Sequence, residues 1–182
     1  MTPAFAMSQV NPSTYLVVHN DKYFEFPYIY LKLYPDAALA VVIDTGCGSA
    51  NAKGTRGEKD IKRFIETVII GKHSTTSGTV AANWRFLVTC THCHFDHIGG
   101  IESFAKSGPS IIASGNDRDF LSRANLPANS FCKAFGLKTP EYHISHFARD
   151  GENLCEDGFD LGLHALHTPG HTPDSLAIYD TA

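Results

Sequence analysis

Thr89-Cys-Thr-His-Cys-His-Phe-Asp-His-Ile-Gly-Gly100 sets His92, His94, Asp96 and His97 within six residues, directly after the hydrophobic run Trp84 to Val88. Along an extended or loosely turning backbone alternate side chains share a face, so His92, His94 and Asp96 align while His97 must point elsewhere. One short loop can therefore serve two adjacent metal positions. Imidazole nitrogen and carboxylate oxygen together suit zinc, with iron and manganese as alternatives, because no thiolate is needed to complete the set. The β-type run before the motif and the helix start read over Ile98 to Lys106 make strand, ligand loop, helix, which points to an α/β fold.

Two further stretches matter. Val41-Val-Ile-Asp-Thr-Gly46 reads as a strand entering a turn, and Leu163-His-Ala-Leu-His-Thr-Pro-Gly-His171-Thr-Pro-Asp-Ser175 carries a later histidine. Together with the His-x-His-x-Asp-His spacing of residues 92–97, and in this order, they resemble the metallo-β-lactamase superfamily, whose members include glyoxalase II-like and thioesterase-like hydrolases. The resemblance implies one domain over residues 1–182 with an α/β fold of the αββα sandwich type, its C-terminal part incomplete. It implies that His92, His94 and His171 hold one metal and that Asp96 and His97 contribute to a second. It further gives Asp96 the task of orienting the nucleophile and Asp44 that of fixing the ligand loop from behind. Zinc is the implied cofactor, one site complete and the other partly formed, since the family's later bridging acid and later histidine find no match here. Asp180, the late acidic candidate, is expected to start a hairpin turn after Leu176 to Tyr179 rather than to bridge metals. Gly99 and Gly100 are expected to let the following helix approach the loop closely.

Composition narrows the function classes. A chain of 182 residues with 43% hydrophobic and 19% charged residues is ordinary for one soluble globular domain. A net charge of −4 with no dense Lys/Arg run argues against a nucleic-acid groove, which needs a positive footprint. The stretch Met1 to Val10 has no basic region and no long apolar core, so neither secretion nor a membrane span is expected and a cytoplasmic protein is the default. Five cysteines at 47, 90, 93, 132 and 155 suit reduced thiols better than a disulfide framework.

Some motifs compete with the metal reading. Cys90-Thr-His-Cys93-His94 matches the c-type haem attachment pattern, but alternation turns Cys93 away from its histidine neighbours, where it reads as a small buried hydrophobe. Gly46-Cys-Gly48-Ser-Ala-Asn51 begins like a dinucleotide-binding loop yet has Asn51 where the third glycine belongs. No Gly-x-Ser-x-Gly elbow and no Walker A sequence occurs.

Strands are expected over Thr14 to Val18, Tyr23 to Tyr34, Leu39 to Ile43, Ser110 to Ala113, Glu141 to Phe147, Asn153 to Cys155 and Leu161 to Leu166. Helices are expected over 60–70, with Ile61, Phe64, Ile65 and Val68 on one face, and over Asn116 to Ala124, while His73 to Thr79 reads as a polar loop. Phe120, Phe131 and Phe135 are expected in the core, with a substrate pocket as the alternative. His143, His146 and His164 are expected in structural roles, and so is His167, although its closeness to the His171 loop singles it out. These features point to a metal-dependent hydrolase of a small-molecule ester, thioester or amide, thioester first. The alternatives are an impaired metal-binding fragment that self-associates through uncovered sheet edges, or a mono-iron oxygenase using the same loop.

Overall fold

The computed structural model describes residues 2–72 and 84–181; the polar loop expected over His73 to Thr79 lies outside them. Among the described residues ten strands form two sheets: β1 Phe5–Asn11, β2 Thr14–His19, β3 Tyr28–Tyr34, β4 Leu39–Ile43, β5 Arg85–Thr89, β6 Ser110–Ser114, β7 His146–Ala148, β8 Glu152–Glu156, β9 Phe159–His167 and β10 Leu176–Asp180. The first seven build one sheet in sequence order, antiparallel from β1 to β4 and parallel from β4 to β7. The last three form an antiparallel sheet in the order β10-β9-β8.

Alternation in the parallel strands explains the layering. Ala40, Val42, Phe86, Val88 and Ile111 face one way and pack against helical side chains, among them Ile61, Ile65, Ile69 and Phe104. Their neighbours Leu39, Val41, Leu87 and Ile112 face the other way and meet Leu154, Leu161, Leu163, Ala165 and Leu176 of the small sheet. Strands covered on both faces read as continuous apolar runs, as these do. The helices are α1, Ile61–Phe64, which widens into a π-helical stretch over Ile65–Ile70, then α2, Phe95–Ile98, α3, Ile101–Ala105, and α4, Leu126–Asn129. The result is an α/β sandwich of helices, large sheet and small sheet.

Several elements differ from the sequence expectation. Residues 23–27 do not extend β3, because the buried Asp21 carboxylate accepts the backbone N–H groups of Tyr23 (2.7 Å), Glu25 (3.4 Å) and Phe26 (2.8 Å) and curls the chain into a loop. Asn116 to Ala124 is a run of turns, not a helix. Local side chains compete for its backbone: Ser114 Oγ accepts from Asn116 N–H, Asp117 from Phe120 N–H, and the Asn125 amide donates to Asp119 O. The expected strand over Glu141 to Phe147 shrinks to β7, and β1 was not anticipated from its mixed pattern. Asp180 is the last residue of β10, and its carboxylate pairs with the buried Lys32 ammonium at 2.5 Å.

Candidate metal centre

The parallel strands β4 and β5 end side by side, and the loops leaving their carboxyl ends carry the site. This is where open α/β sheets place ligands. Asp44 follows β4, and residues 90–94 follow β5 before α2 begins at Phe95. The turn after β4 and the turn after α2 interlock through glycine. A Cβ on Gly48 would stand 2.3 Å from Gly99 O, and one on Gly100 would stand 2.4 Å from Thr45 O. The close approach expected of Gly99 and Gly100 is thus made by backbone meeting backbone. Thr45 N–H and Thr45 Oγ1 both donate to His97 O at 2.7 Å, which fastens α2 to the turn. Behind them the buried His19 accepts Cys47 N–H at Nδ1 (3.2 Å), so its proton sits on Nε2 and is directed at Asn51 Oδ1 (3.3 Å).

Three imidazoles converge above this frame. His92 Nε2 and His171 Nε2 each lie 3.1 Å from His94 Nδ1, and all three nitrogens fall within 4.8 Å of one another. The edge of a tetrahedron of nitrogens around zinc is about 3.4 Å for Zn–N bonds of about 2.0–2.1 Å. The two close separations approach that edge. His94 Nδ1 faces two ring nitrogens and can carry at most one proton, so hydrogen bonding alone does not satisfy the trio; a shared cation does. Burial, then the neighbouring imidazoles His97, His94 and His171, push His92 down to about 3. His94 is lowered by burial and by His171. Both therefore keep free lone pairs at neutral pH, the form a metal needs. The trio is the single group of three or more such donors among the described residues.

Asp96 and His97 sit beside the trio, on the first turn of α2 rather than on an extended run. The His97 ring is 4.0 Å from the His92 ring, so it does not point away as alternation implied. Its two nitrogens lie between carboxylates, Nδ1 2.9 Å from Asp44 Oδ2 and Nε2 3.1 Å from Asp96 Oδ2. Burial on its own would lower His97, yet hydrogen bonds to Asp44 and Asp96 and their charges carry it up to about 10. Burial likewise raises Asp96, but the hydrogen bond and charge of His97 leave it lowered overall and ionised. Asp96 and His97 thus set two further donors beside the trio.

Asp44 lies beneath the ligand loop, and Thr91 joins it unannounced. Asp44 Oδ1 accepts Thr91 N–H at 2.7 Å, and the Thr91 hydroxyl reaches both Asp44 oxygens at 3.0 and 3.1 Å. Thr91 Oγ1 is also 3.2 Å from His92 Nδ1. The hydroxyl thus passes the orienting effect of Asp44 to His92, as Asp44 does directly to His97, and turns the Nε2 atoms outward. A threonine before a histidine carries no distinctive sequence signal. Cys93 is buried in the core, as alternation required, and all five cysteines are free thiols.

The remaining aromatic and histidine assignments divide. Phe120 packs against the core, whereas Phe131 and Phe135 are 50% and 41% exposed and are not core residues. His167 Nε2 lies 3.0 Å from Pro173 O, bracing the loop that carries His171, and His146 pairs with Glu152 at 2.5 Å.

The chain is similar to several known proteins. A protein of Aspergillus versicolor named "Putative transcription factor avaE" is 32% identical over 180 residues, 97% of this chain and 53% of that protein. The hydroxyacylglutathione hydrolase of Legionella pneumophila (strain Corby) is 27% identical over 94 residues, 51% of this chain and 28% of the enzyme. Among solved structures, the native FEZ-1 metallo-beta-lactamase from Legionella gormanii superposes with a TM-score of 0.65 at 19% identity, over 98% of this chain and 58% of that one. The chain thus spans about half the length of the Aspergillus relative. No helix among the described residues is long and apolar enough to cross a membrane. The sequence profile of the metallo-β-lactamase superfamily matches residues 87–182, from β5 through both histidine motifs, and the chain belongs to that superfamily.

Proposed function

We propose that this protein is a metal-dependent hydrolase that cleaves an ester, thioester or amide, with a thioester as the preferred substrate. The observation that carries the reading is the convergence of His92 Nε2, His94 Nδ1 and His171 Nε2 within 4.8 Å of one another, with His92 and His94 both lowered by burial. His92, His94 and His171 would hold a divalent cation, which would acidify a water toward neutral pH and polarise a carbonyl oxygen. Zinc suits the donor set best, ahead of iron and manganese. Asp44 and Thr91 hold His92 and His97 in orientation. Asp96, kept ionised beside protonated His97, accepts a hydrogen bond from the attacking water and aims its oxygen at the carbonyl carbon. No two-metal step is part of the proposal.

The thioester preference draws on the hydroxyacylglutathione hydrolase relative and on the absence of a basic run in the sequence. The name of the Aspergillus relative points to gene regulation, a reading that the net charge of −4 does not favour. The test is metal analysis after gel filtration, followed by assays on small acyl thioesters before and after chelation. About one zinc per chain, and hydrolysis lost on chelation and restored by zinc, supports the reading. Hydrolysis indifferent to chelation and to His94→Ala overturns it; iron with oxygen consumption replaces it by an oxygenase.

A further inference from the structure

Phe131 occupies a position that its own side chain does not favour. It follows α4 and its cap residue Ser130 and has φ +57°, the left-handed conformation that glycine adopts without strain at the end of a helix. Its ring gains little burial in return, since half of it is exposed. The ring lies 4.8 Å from the His94 ring, at the edge of the imidazole cluster. The backbone explains how it is kept there: the buried Ser130 gives its carbonyl to Phe95 N–H at 2.9 Å, tying this loop to the residue after His94. An exposed ring held in a strained conformation against a ligand residue stabilises neither core nor loop, and such strain is characteristic of binding sites.

Further rings gather around the segment that follows Phe131. Phe135 stacks on Phe95 with centroids 4.1 Å apart, and Tyr23 packs edge-on against both rings at 5.4 and 5.2 Å while its hydroxyl donates to Phe135 O at 3.2 Å. Tyr23 belongs to the loop curled around Asp21, which also holds Phe24 and Phe26 in left-handed conformations, 75% and 45% exposed. Phe131 against the His94 ring, and Phe135 fastened by Phe95 and Tyr23 four residues on, offer apolar surface on which part of a substrate can lie.

We propose that Phe131 and Phe135 form an acyl-binding wall beside the imidazole cluster, selecting substrates with a hydrophobic acyl group, aliphatic or aryl, over those with an acetyl group. The proposal rests on the hydrolase reading. Its site is specific: the acyl chain lies across Phe131 while its carbonyl reaches the point shared by His92, His94 and His171.

The test compares acetyl, hexanoyl and benzoyl thioesters of N-acetylcysteamine, which differ in the acyl group alone, on the zinc-loaded protein. A methylene in a fully enclosed pocket is worth about tenfold or more, and a half-open wall delivers less for each. The expected kcat/KM preference for hexanoyl over acetyl is therefore about tenfold across four methylenes. Phe131→Ala should cut this ratio to about twofold, and Phe131→Leu, which keeps apolar surface, should restore most of it. A second readout is calorimetric titration with hexanoate, benzoate and acetate, which needs no turnover. If no thioester is cleaved but hexanoate binds about tenfold tighter than acetate and Phe131→Ala removes the difference, the wall stands and the hydrolase reading falls. If hydrolysis proceeds with a flat acyl profile, the wall is wrong and the hydrolase reading stands. A change in oligomeric state on Phe131→Ala, with acyl preference unaltered, assigns the rings to self-association and overturns the proposal.

Discussion

The ligand loop, residues 90–97, and the turn beneath it, residues 44–48, follow neighbouring parallel strands, yet they contribute by opposite means. The upper loop acts through the types of its side chains. The lower turn acts mostly through what its residues lack: Gly46 and Gly48 have φ of +72° and +62°, and Gly48 admits the backbone of Gly99 where a methyl would stand. Asp44 is the main exception, a side chain in the lower turn that reaches up to the imidazole rings, while the Thr45 hydroxyl holds the His97 carbonyl. Chemistry and stability should therefore separate cleanly between the two regions when each is perturbed.

The largest separation is expected from His94→Ala. Removing the nitrogen that the other two share should lower kcat/KM by about a thousandfold or more, some 4 kcal/mol of transition-state stabilisation. The melting temperature of the metal-free protein should move by less than about 2 °C, because His94 is partly exposed and carries no core packing. A collapse in melting temperature would break the contrast at once. Gly48→Ala should behave in the opposite way. A methyl 2.3 Å from Gly99 O at a left-handed φ costs about 3 kcal/mol, a fall of about 10 °C by calorimetry.

These two regions were also unequally legible in the sequence. His92, His94, Asp96, His97 and His171 announce themselves because few structural needs cluster imidazoles, and Asp44 followed from the Asp-Thr-Gly turn of the family. Thr91 could not be read, since a hydroxyl reveals its partners only when the chain is folded. The same limit applied to Phe131 and Phe135: an aromatic ring in a sequence looks alike in a core and on a rim, and burial separates them. Asn116 to Ala124 failed as a helix because polar side chains captured the backbone, a competition that hydrophobic spacing does not report.

Asp44→Asn lies between the extremes and tests the exception. It preserves shape but removes the charge that orients His97 and, through Thr91, His92. Zinc affinity by competitive chelation should fall about 10–100-fold, with little change in fold by circular dichroism. An unaltered affinity would make Asp44 part of the frame alone.

The smallest effect concerns His19, which braces the lower turn in its neutral form. Burial lowers its folded pKa below the ordinary value of 6.5, against weaker opposing effects from Asn51 and Asp21. The unfolded chain then takes up the proton first as pH falls below about 6.5, so stability from this residue is complete above that pH. It is lost as pH drops toward the depressed folded value, at no more than about 1.4 kcal/mol per unit. Denaturant titrations between pH 7 and 5 on wild type and His19→Gln check this. The wild-type slope should be steeper, and parallel curves would remove His19 from the account.

The third imidazole brings a consequence of another kind. His171 stands 77 positions beyond His94, on the loop joining β9 to β10, and the small sheet is otherwise fastened here by a backbone bond from Leu176 N–H to Thr91 O at 2.7 Å. A cation on these nitrogens closes a long stretch of chain, whose free ends cost entropy to bring together. A cation held there would be a removable cross-link between two sheets. Chelator should open the joint to proteases before it unfolds either sheet.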